Sequence, residues 1–172
     1  NLHPMTRCVV KYKENVNDGD LFPPFQSWTK DLKYKFGYSV STPPYIIATL
    51  ASLGENNINL DPKKLVSYFS STVFDVSKGR LFFLFGKVIP FIYIKKQDKE
   101  KIKDGYNLLR ETLKQGGANK IWPSKNISPI STVHVFGSLP LNKNKDLDKN
   151  GALKKDSRIK VCDGSLLPVA PW

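Results

Sequence analysis

Hydrophobic and polar positions fall into short blocks whose period changes along the chain. Arg7 to Lys13 alternates β-branched and charged residues, which predicts a strand. The polar segment Glu14 to Asp20 and then Pro23-Pro24 predicts a loop. Leu32 to Val40 is extended by the same pattern, with Tyr34, Phe36 and Tyr38 on one face. At Thr42-Pro43-Pro44 a hydroxyl cap precedes proline in the first turn, where a missing N–H costs nothing. That helix should run to about Leu53 and stop at Gly54. The same logic at Asp61-Pro62 predicts a second short helix ending near Tyr68. Arg80 to Ile94 is almost wholly apolar and reads as one or two buried strands, with a bend or bulge at Gly86 and Pro90. Gln97 to Lys114 carries the strongest helical period: Ile102, Tyr106, Leu109 and Leu113 share a face, Asp98 and Glu100 sit in the first turn, and Gly116-Gly117 ends it. Beyond Trp122-Pro123 the pattern is irregular and closes on a short strand, Arg158 to Val161. Strands and helices mix without βαβ regularity, so the expected fold class is α+β, an antiparallel sheet with flanking helices.

Composition narrows the function classes. The 172 residues suffice for one domain with a sizeable core, or one domain and part of another. The net charge of +12 raises nucleic acid as a partner, yet Arg7, Arg80, Arg110 and Arg158 are the only arginines. Phosphate and base readers lean on the planar, bidentate guanidinium, so scattered lysines read as a solvated surface and no nucleic-acid partner is expected. Cys8 and Cys162 stand far apart, without a CxxC or a neighbouring histidine; no metal site is expected, and a disulfide between them stays open. The longest apolar stretch, Leu81 to Ile94, is broken by Lys87 and too short to span a bilayer. No targeting segment is visible, so a cytoplasmic location is the expectation. The chain starts with Asn1 and stops straight after Pro171, so both ends read as cut.

The common catalytic fingerprints are missing: there is no G-x-G-x-x-G, P-loop, H-E-x-x-H or G-x-S-x-G. Asn126-Ile127-Ser128 is a glycosylation sequon, a triplet common by chance. Histidine occurs twice, at His3 and His134. His134 is flanked by small and apolar residues in Ser131-Thr132-Val133-His134-Val135-Phe136-Gly137-Ser138. Desolvation there favours the neutral imidazole, which can accept a proton from an alcohol. The plain alternative is a core histidine bonded to a backbone carbonyl.

Three segments then occur in order: Val133-His134-Val135-Phe136-Gly137-Ser138, Asp148-Lys149-Asn150-Gly151, and Ile159-Lys160-Val161-Cys162-Asp163-Gly164-Ser165-Leu166-Leu167-Pro168. Together they resemble the C-terminal signature of the glucose–methanol–choline (GMC) oxidoreductases, a H-x-x-G-[ST] element, a turn, and a strand ending in D-[AG]-S-x-x-P. His3-Pro4, Gln97-Asp98, Gly105, Leu108-Leu109, Gly117-Ala118 and Pro123-Ser124 extend the resemblance upstream. Each segment also has a local reading. Asp148 to Gly151 is a turn sequence, and glycine at Gly164 lets backbone approach a cofactor closely or simply forms an exposed turn after an edge strand.

The resemblance implies FAD-dependent oxidation of an alcohol or sugar, with hydride passing to the flavin. His134 would be the catalytic residue beside the flavin ring, as base or as stabiliser of the alkoxide, and Asp163 and Gly164 would contact FAD. Residues 1–131 would be part of the substrate-binding domain, a sheet whose face roofs the flavin, with aromatics of Tyr34 to Tyr38 and Phe82 to Tyr93 as specificity candidates. Residues 132–172 would be the truncated C-terminal segment of the flavin domain. Leu139-Pro140-Leu141 departs from the family's frequent Cys-Pro-Met. The second catalytic residue would fall beyond Trp172, and the glycine-rich grip on FAD would belong to a missing N-terminal half. The chain alone is therefore expected neither to bind FAD tightly nor to turn over substrate. The competing expectation is a non-catalytic, basic globular binding domain descended from such an enzyme.

Overall fold

Val9 and Val10 are neighbours in sequence yet serve different cores, because successive side chains on a strand point to opposite faces. The computed structural model describes residues 3–17, 25–39, 41–55, 60–124, 126–132, 139, 141 and 144–167. In chain order its regular elements are β1 (Met5–Lys11), β2 (Gln26–Trp28), β3 (Lys35–Tyr38), α1 (Pro43–Ser52), β4 (Leu65–Ser71), β5 (Lys78–Leu84), β6 (Lys87–Tyr93), α2 (Lys96–Gln115), β7 (Lys120–Trp122), β8 (Ala152–Leu153) and β9 (Asp156–Lys160). They divide into two units. One comprises Met5–Thr72 and Glu100–Ser131; the other comprises Asn1–Pro4, Val73–Lys99 and Thr132–Trp172. The fold class is the expected α+β, with antiparallel sheets and flanking helices.

The first unit is a five-stranded sheet in the order β2-β3-β4-β1-β7, antiparallel at every pairing. On one face Cys8, Val10 and Ile121 meet Tyr106, Leu109 and Leu113 of α2. On the other, Val9, Leu65 and Trp122 meet Ile46 and Leu50 of α1. Each of these aliphatic side chains, fully buried, contributes about 1.5–3 kcal/mol. The helical stripe expected from Ile102, Tyr106, Leu109 and Leu113 is the buried face of α2. Helix α1 begins after Thr42 with proline in its first turn and ends before Gly54, whose φ of +79° suits glycine. Thr42 sits at the cap position, although its hydroxyl makes no capping bond.

One expected element is corrected. Asp61 does cap a start, accepting from the Lys63 N–H, but only a single 3-10 turn, Pro62–Lys64, follows. Leu65 to Ser71 is then strand β4, the seam between β3 and β1. The cap logic located the turn; the run Leu65-Val66-Ser67-Tyr68-Phe69 is apolar and aromatic enough to prefer a sheet with two neighbours. Strand β7, at the far edge beyond β1, carried no distinct sequence signal, being three residues long.

Helix α2 lies close enough to the sheet that Gly105 has no room for a side chain. A Cβ there would stand 2.6 Å from the Tyr34 ring and 3.0 Å from the Ser70 hydroxyl. Tyr34, stacked with Phe36 at 6.4 Å, is therefore core beneath α2.

In the second unit, β5 and β6 form a hairpin closed by Phe85-Gly86, both left-handed (φ +49° and +72°), as a two-residue type I′ turn requires. The closing pair is Leu84–Lys87, so Pro90, opposite Leu81, falls at a non-hydrogen-bonded position. Its missing N–H therefore lies on the ribbon's outer edge. The expected bend at Gly86 is this turn. The expectation of burial is corrected: every residue of both strands is exposed.

Behind the hairpin stands a buried carboxylate. Asp98, in the first turn of α2 and 1 % exposed, accepts from the N–H groups of Asp75 (2.8 Å), Val76 (3.3 Å) and Ser77 (2.6 Å) and from the Ser77 hydroxyl. Ser77 Oγ in turn accepts from Lys95 N–H at 2.9 Å, so one side chain gathers both ends of the hairpin. Burial pushes the Asp98 carboxyl up, but the Ser77 hydroxyl and the three N–H groups outweigh it and hold it below its ordinary value.

Two stability outcomes follow from these contacts. Gly105→Ala should destabilise the chain by up to about 2 kcal/mol, the overpacking cost of about 1–3 kcal/mol less the roughly 1 kcal/mol gained in helix propensity. Thermal melting by circular dichroism reads the sign; a raised melting temperature would contradict the close α2–sheet contact. For Asp98, the folded carboxyl is the stronger acid. Its contribution is present above the unfolded value of about 4 and is lost as pH falls through the folded one. Asp98→Asn should cost about 1–3 kcal/mol in urea unfolding near neutral pH, and the gap to the parent should close in strong acid.

Candidate functional site

The three segments of the signature differ in how much of them the structure describes. His134 lies outside the described residues, as do the rest of residues 133–138. Its described flanks are fixed by backbone pairing. Ser131 exchanges two hydrogen bonds with Met5, at 2.7 and 2.9 Å, extending the sheet of the first unit. Downstream, in the second unit, the Leu139 N–H donates to Ser165 O at 3.0 Å and the Leu141 N–H to Leu166 O at 3.1 Å.

Asp163 and Gly164 are both described. Asp163 caps a 3-10 turn, Gly164–Leu166, by accepting from the Ser165 N–H at 2.8 Å and from the Ser165 hydroxyl. These two donors hold the carboxyl below its ordinary value. The turn follows β9 after two residues, Val161 and Cys162, and Asp163 is exposed. Strand β9 pairs with β8, and the Val161 N–H donates to Gly151 O at 3.0 Å. Gly151 ends the Asp148-Lys149-Asn150-Gly151 turn with φ +78°; a Cβ there would press on the Val161 carbonyl at 3.0 Å. Asp148 closes that turn by accepting from Asn150 and Ala152 N–H groups, both at 2.8 Å. The backbone thus joins the segment after the histidine motif, the D-K-N-G turn and the D-G-S turn within the second unit.

Gly164, half-buried in this turn, is the one residue of it without a side chain. Asp163 is acceptor-only at neutral pH and already engaged, so any contact through it to a cofactor goes through the turn it stabilises. Among the described residues, no group of three His, Cys, Asp or Glu side chains is placed to hold a metal ion.

Sequence reading did not find a cluster of titratable groups under α2. Cys8, Tyr68 and Tyr12 stand on or beside the sheet and Tyr106 on the helix, with the Tyr12 and Tyr68 hydroxyls 3.0 Å apart. Burial raises the Tyr68 and Tyr106 phenols and pushes the Cys8 thiol up to about 12, against the opposing charge of Arg110. All stay neutral near pH 7, which suits a packed core. Only their alternation along the sheet and helix stripes could have grouped them.

Among the described residues of the first unit, surface cavities open at two places the side chains define well. One of about 360 Å³ is lined by Lys103, Tyr106, Asn107, Arg110, Asn126 and Ile127. The other, about 220 Å³, lies among Lys11, Glu55, Leu60, Lys120 and Trp122. The smaller is lined mainly by polar atoms and the larger about evenly by polar and apolar ones, and both lie open to solvent, unlike the mostly apolar, enclosed cleft that holds a small organic substrate. Ser128 of the sequon is buried, its hydroxyl accepting from Arg7 N–H at 2.7 Å.

No family model, no curated protein and no solved structure matches this chain. Among the described residues no helix is long and apolar enough to cross a membrane.

The two cysteines are free and opposite in environment, Cys8 buried and Cys162 exposed. A thiol reagent should titrate one group per native chain at once and the second only on unfolding. Two fast thiols in the native state would contradict the burial of Cys8 in the sheet.

Proposed function

We propose that the chain is the C-terminal half of a flavin-dependent alcohol oxidoreductase of the GMC type. In this reading the sheet unit belongs to the substrate side and residues 132–172 to the flavin side. The observation that carries it is the backbone pairing of Leu139 and Leu141 with Ser165 and Leu166. The segment that follows the histidine motif thus runs beside the D-G-S turn more than twenty residues away, which supports a reading in which the two share a site. The clamp of Gly151 on Val161 supports it by fixing the strand that presents Asp163-Gly164.

FAD, when bound, supplies the hydride acceptor. The chain's own residues have two tasks. His134 takes the hydroxyl proton of the alcohol or steadies the alkoxide as hydride leaves carbon; a positioned acid–base group is worth about 10²–10⁴ in rate. Asp163 holds the 163–166 turn so that Gly164 offers bare backbone to the cofactor. The Tyr34 to Tyr38 segment is a poor candidate for specificity, since Tyr34 and Phe36 pack under α2. The glycine-rich grip on the ADP portion is absent from the sequence, so a companion N-terminal half has to supply it.

Co-expression with a GMC N-terminal half should give a yellow complex whose flavin absorbance bleaches on adding alcohol. His134→Ala should slow bleaching by about 10²–10⁴ while leaving flavin content unchanged. The chain alone should purify without stoichiometric flavin. A companion-assembled complex that binds flavin yet bleaches equally fast without His134 would sink the assignment of that residue. Absence of flavin in every pairing would sink the whole reading in favour of a non-catalytic domain.

A further inference from the structure

The β5–β6 hairpin is the most unusual surface of the second unit. Phe85 at its tip is 93 % exposed, Phe83 76 % and Phe82 50 %. Water-exposed apolar area of this extent marks an interaction site. Its distribution says which kind. Leu81, Phe83, Val88 and Pro90 share one face of the ribbon, and Phe82, Leu84 and Ile89 the other. A flat protein partner would cover one face and leave the other wet. A fluid apolar phase surrounds both.

Polarity also changes along the ribbon. The pairs nearest the turn are apolar except for Lys87, whose long stem can carry its ammonium back out of an apolar layer. Behind them stand Arg80 opposite Phe91 and Lys78 opposite Tyr93. Arg80 lies about 13 Å behind Leu84 at the rise of a strand. That spacing sets the Arg80 guanidinium at headgroup level when the tip is sunk about 5–10 Å into the acyl boundary, with Lys78 and Tyr93 one step further out. From Val76 to Gln97 there are five cations (Lys78, Arg80, Lys87, Lys95 and Lys96) and no acidic residue. Such a charge repels a second copy of the ribbon and complements an anionic surface. Phe85 adds one more sign. It holds a left-handed φ of +49°, where asparagine or glycine is the favoured residue, so a large apolar side chain is kept at the tip against the backbone's preference.

We propose that the β5–β6 hairpin is a peripheral membrane anchor that inserts its aromatic tip into anionic lipid bilayers. Asp98, tying Asp75 to Ser77 and through Ser77 the Lys95 N–H, gives the hairpin a rigid root.

The test is co-sedimentation of the chain with phosphatidylcholine vesicles, with and without phosphatidylserine, at low and moderate salt. Binding to the anionic vesicles is expected, weakening as salt rises. The double variant Phe83→Ser/Phe85→Ser should lose about tenfold or more of that binding, and Arg80→Glu should weaken it and shrink its salt dependence. Both changes lie on exposed positions, and circular dichroism checks the fold. Should the double variant fail to fold, Phe85→Asn, which suits the turn, carries the same expectation. No retention on any vesicle would overturn the proposal. So would full retention of the tip variants, which would assign binding to the lysine surface alone. A concentration-dependent dimer that ignores vesicles would overturn it in favour of self-association.

Discussion

Everything in the sheet unit depends on β1 being covered on both faces. A strand whose neighbours Val9 and Val10 must both leave water cannot lie at the surface of a two-layer fold. It needs a helix above and a helix below. That demand places α1 and α2 on opposite sides, and it makes β4 and β7 necessary as the flanking strands that satisfy β1's backbone. Gly105 then follows: a long helix can settle against Tyr34 and Ser70 only where one residue has no side chain. The titratable cluster is a by-product of the same packing. Cys8 and Tyr68 beneath α2 and Tyr106 on it are weaker acids than usual because the packing takes them out of water.

Among the described residues of the second unit, short polar contacts fix the changes of chain direction. Asp98, Asp148 and Asp163 each turn a carboxylate onto backbone N–H groups, and each fixes a change of chain direction. For Asp98 the donors converge on a buried charge, so losing the charge removes a whole joint. Asp148 is half-buried and Asp163 exposed, and their turns lean more on glycine and on neighbouring strands than on the charge itself. In each case the shifted acidity reports a structural task. It follows that a lowered carboxylate in this chain is no guide to catalysis, and that Asp163 has to be argued through the turn it builds.

How far the sequence could be read depended on whether local signals had competitors. Helix α2 was clear because its apolar stripe, its acidic first turn and its terminal glycines agree. Asp61-Pro62 misled because a cap specifies a start and says nothing of length; the apolar run from Leu65 then met two strand partners that no local pattern announces. Strand β7 is three residues long and exists through its pairing with β1. The candidate site divides in the same way. The D-K-N-G turn follows from its own residues, down to the positive φ of Gly151. The pairing of Leu139 with Ser165 is non-local and visible only in three dimensions, and His134 is known through its motif alone.

The hairpin shows the limit most plainly. Arg80 to Ile94 was expected to be buried because an apolar run ordinarily is, and periodicity reports which residues share a face, not what that face meets. Within this chain nothing covers it among the described residues: every position of β5 and β6 is exposed. A two-stranded ribbon alone is marginal in water, so its persistence needs a root and its surface needs a partner. Asp98 supplies the root. The residues themselves constrain the partner: apolar on both faces, aromatic at the tip, cationic behind, with Pro90 withholding a donor from one outer edge. Strand addition at that edge is therefore disfavoured. What remains is a medium that can enclose the tip without ordered contacts on either face, and whose charge is opposite to that of Arg80 and its neighbours.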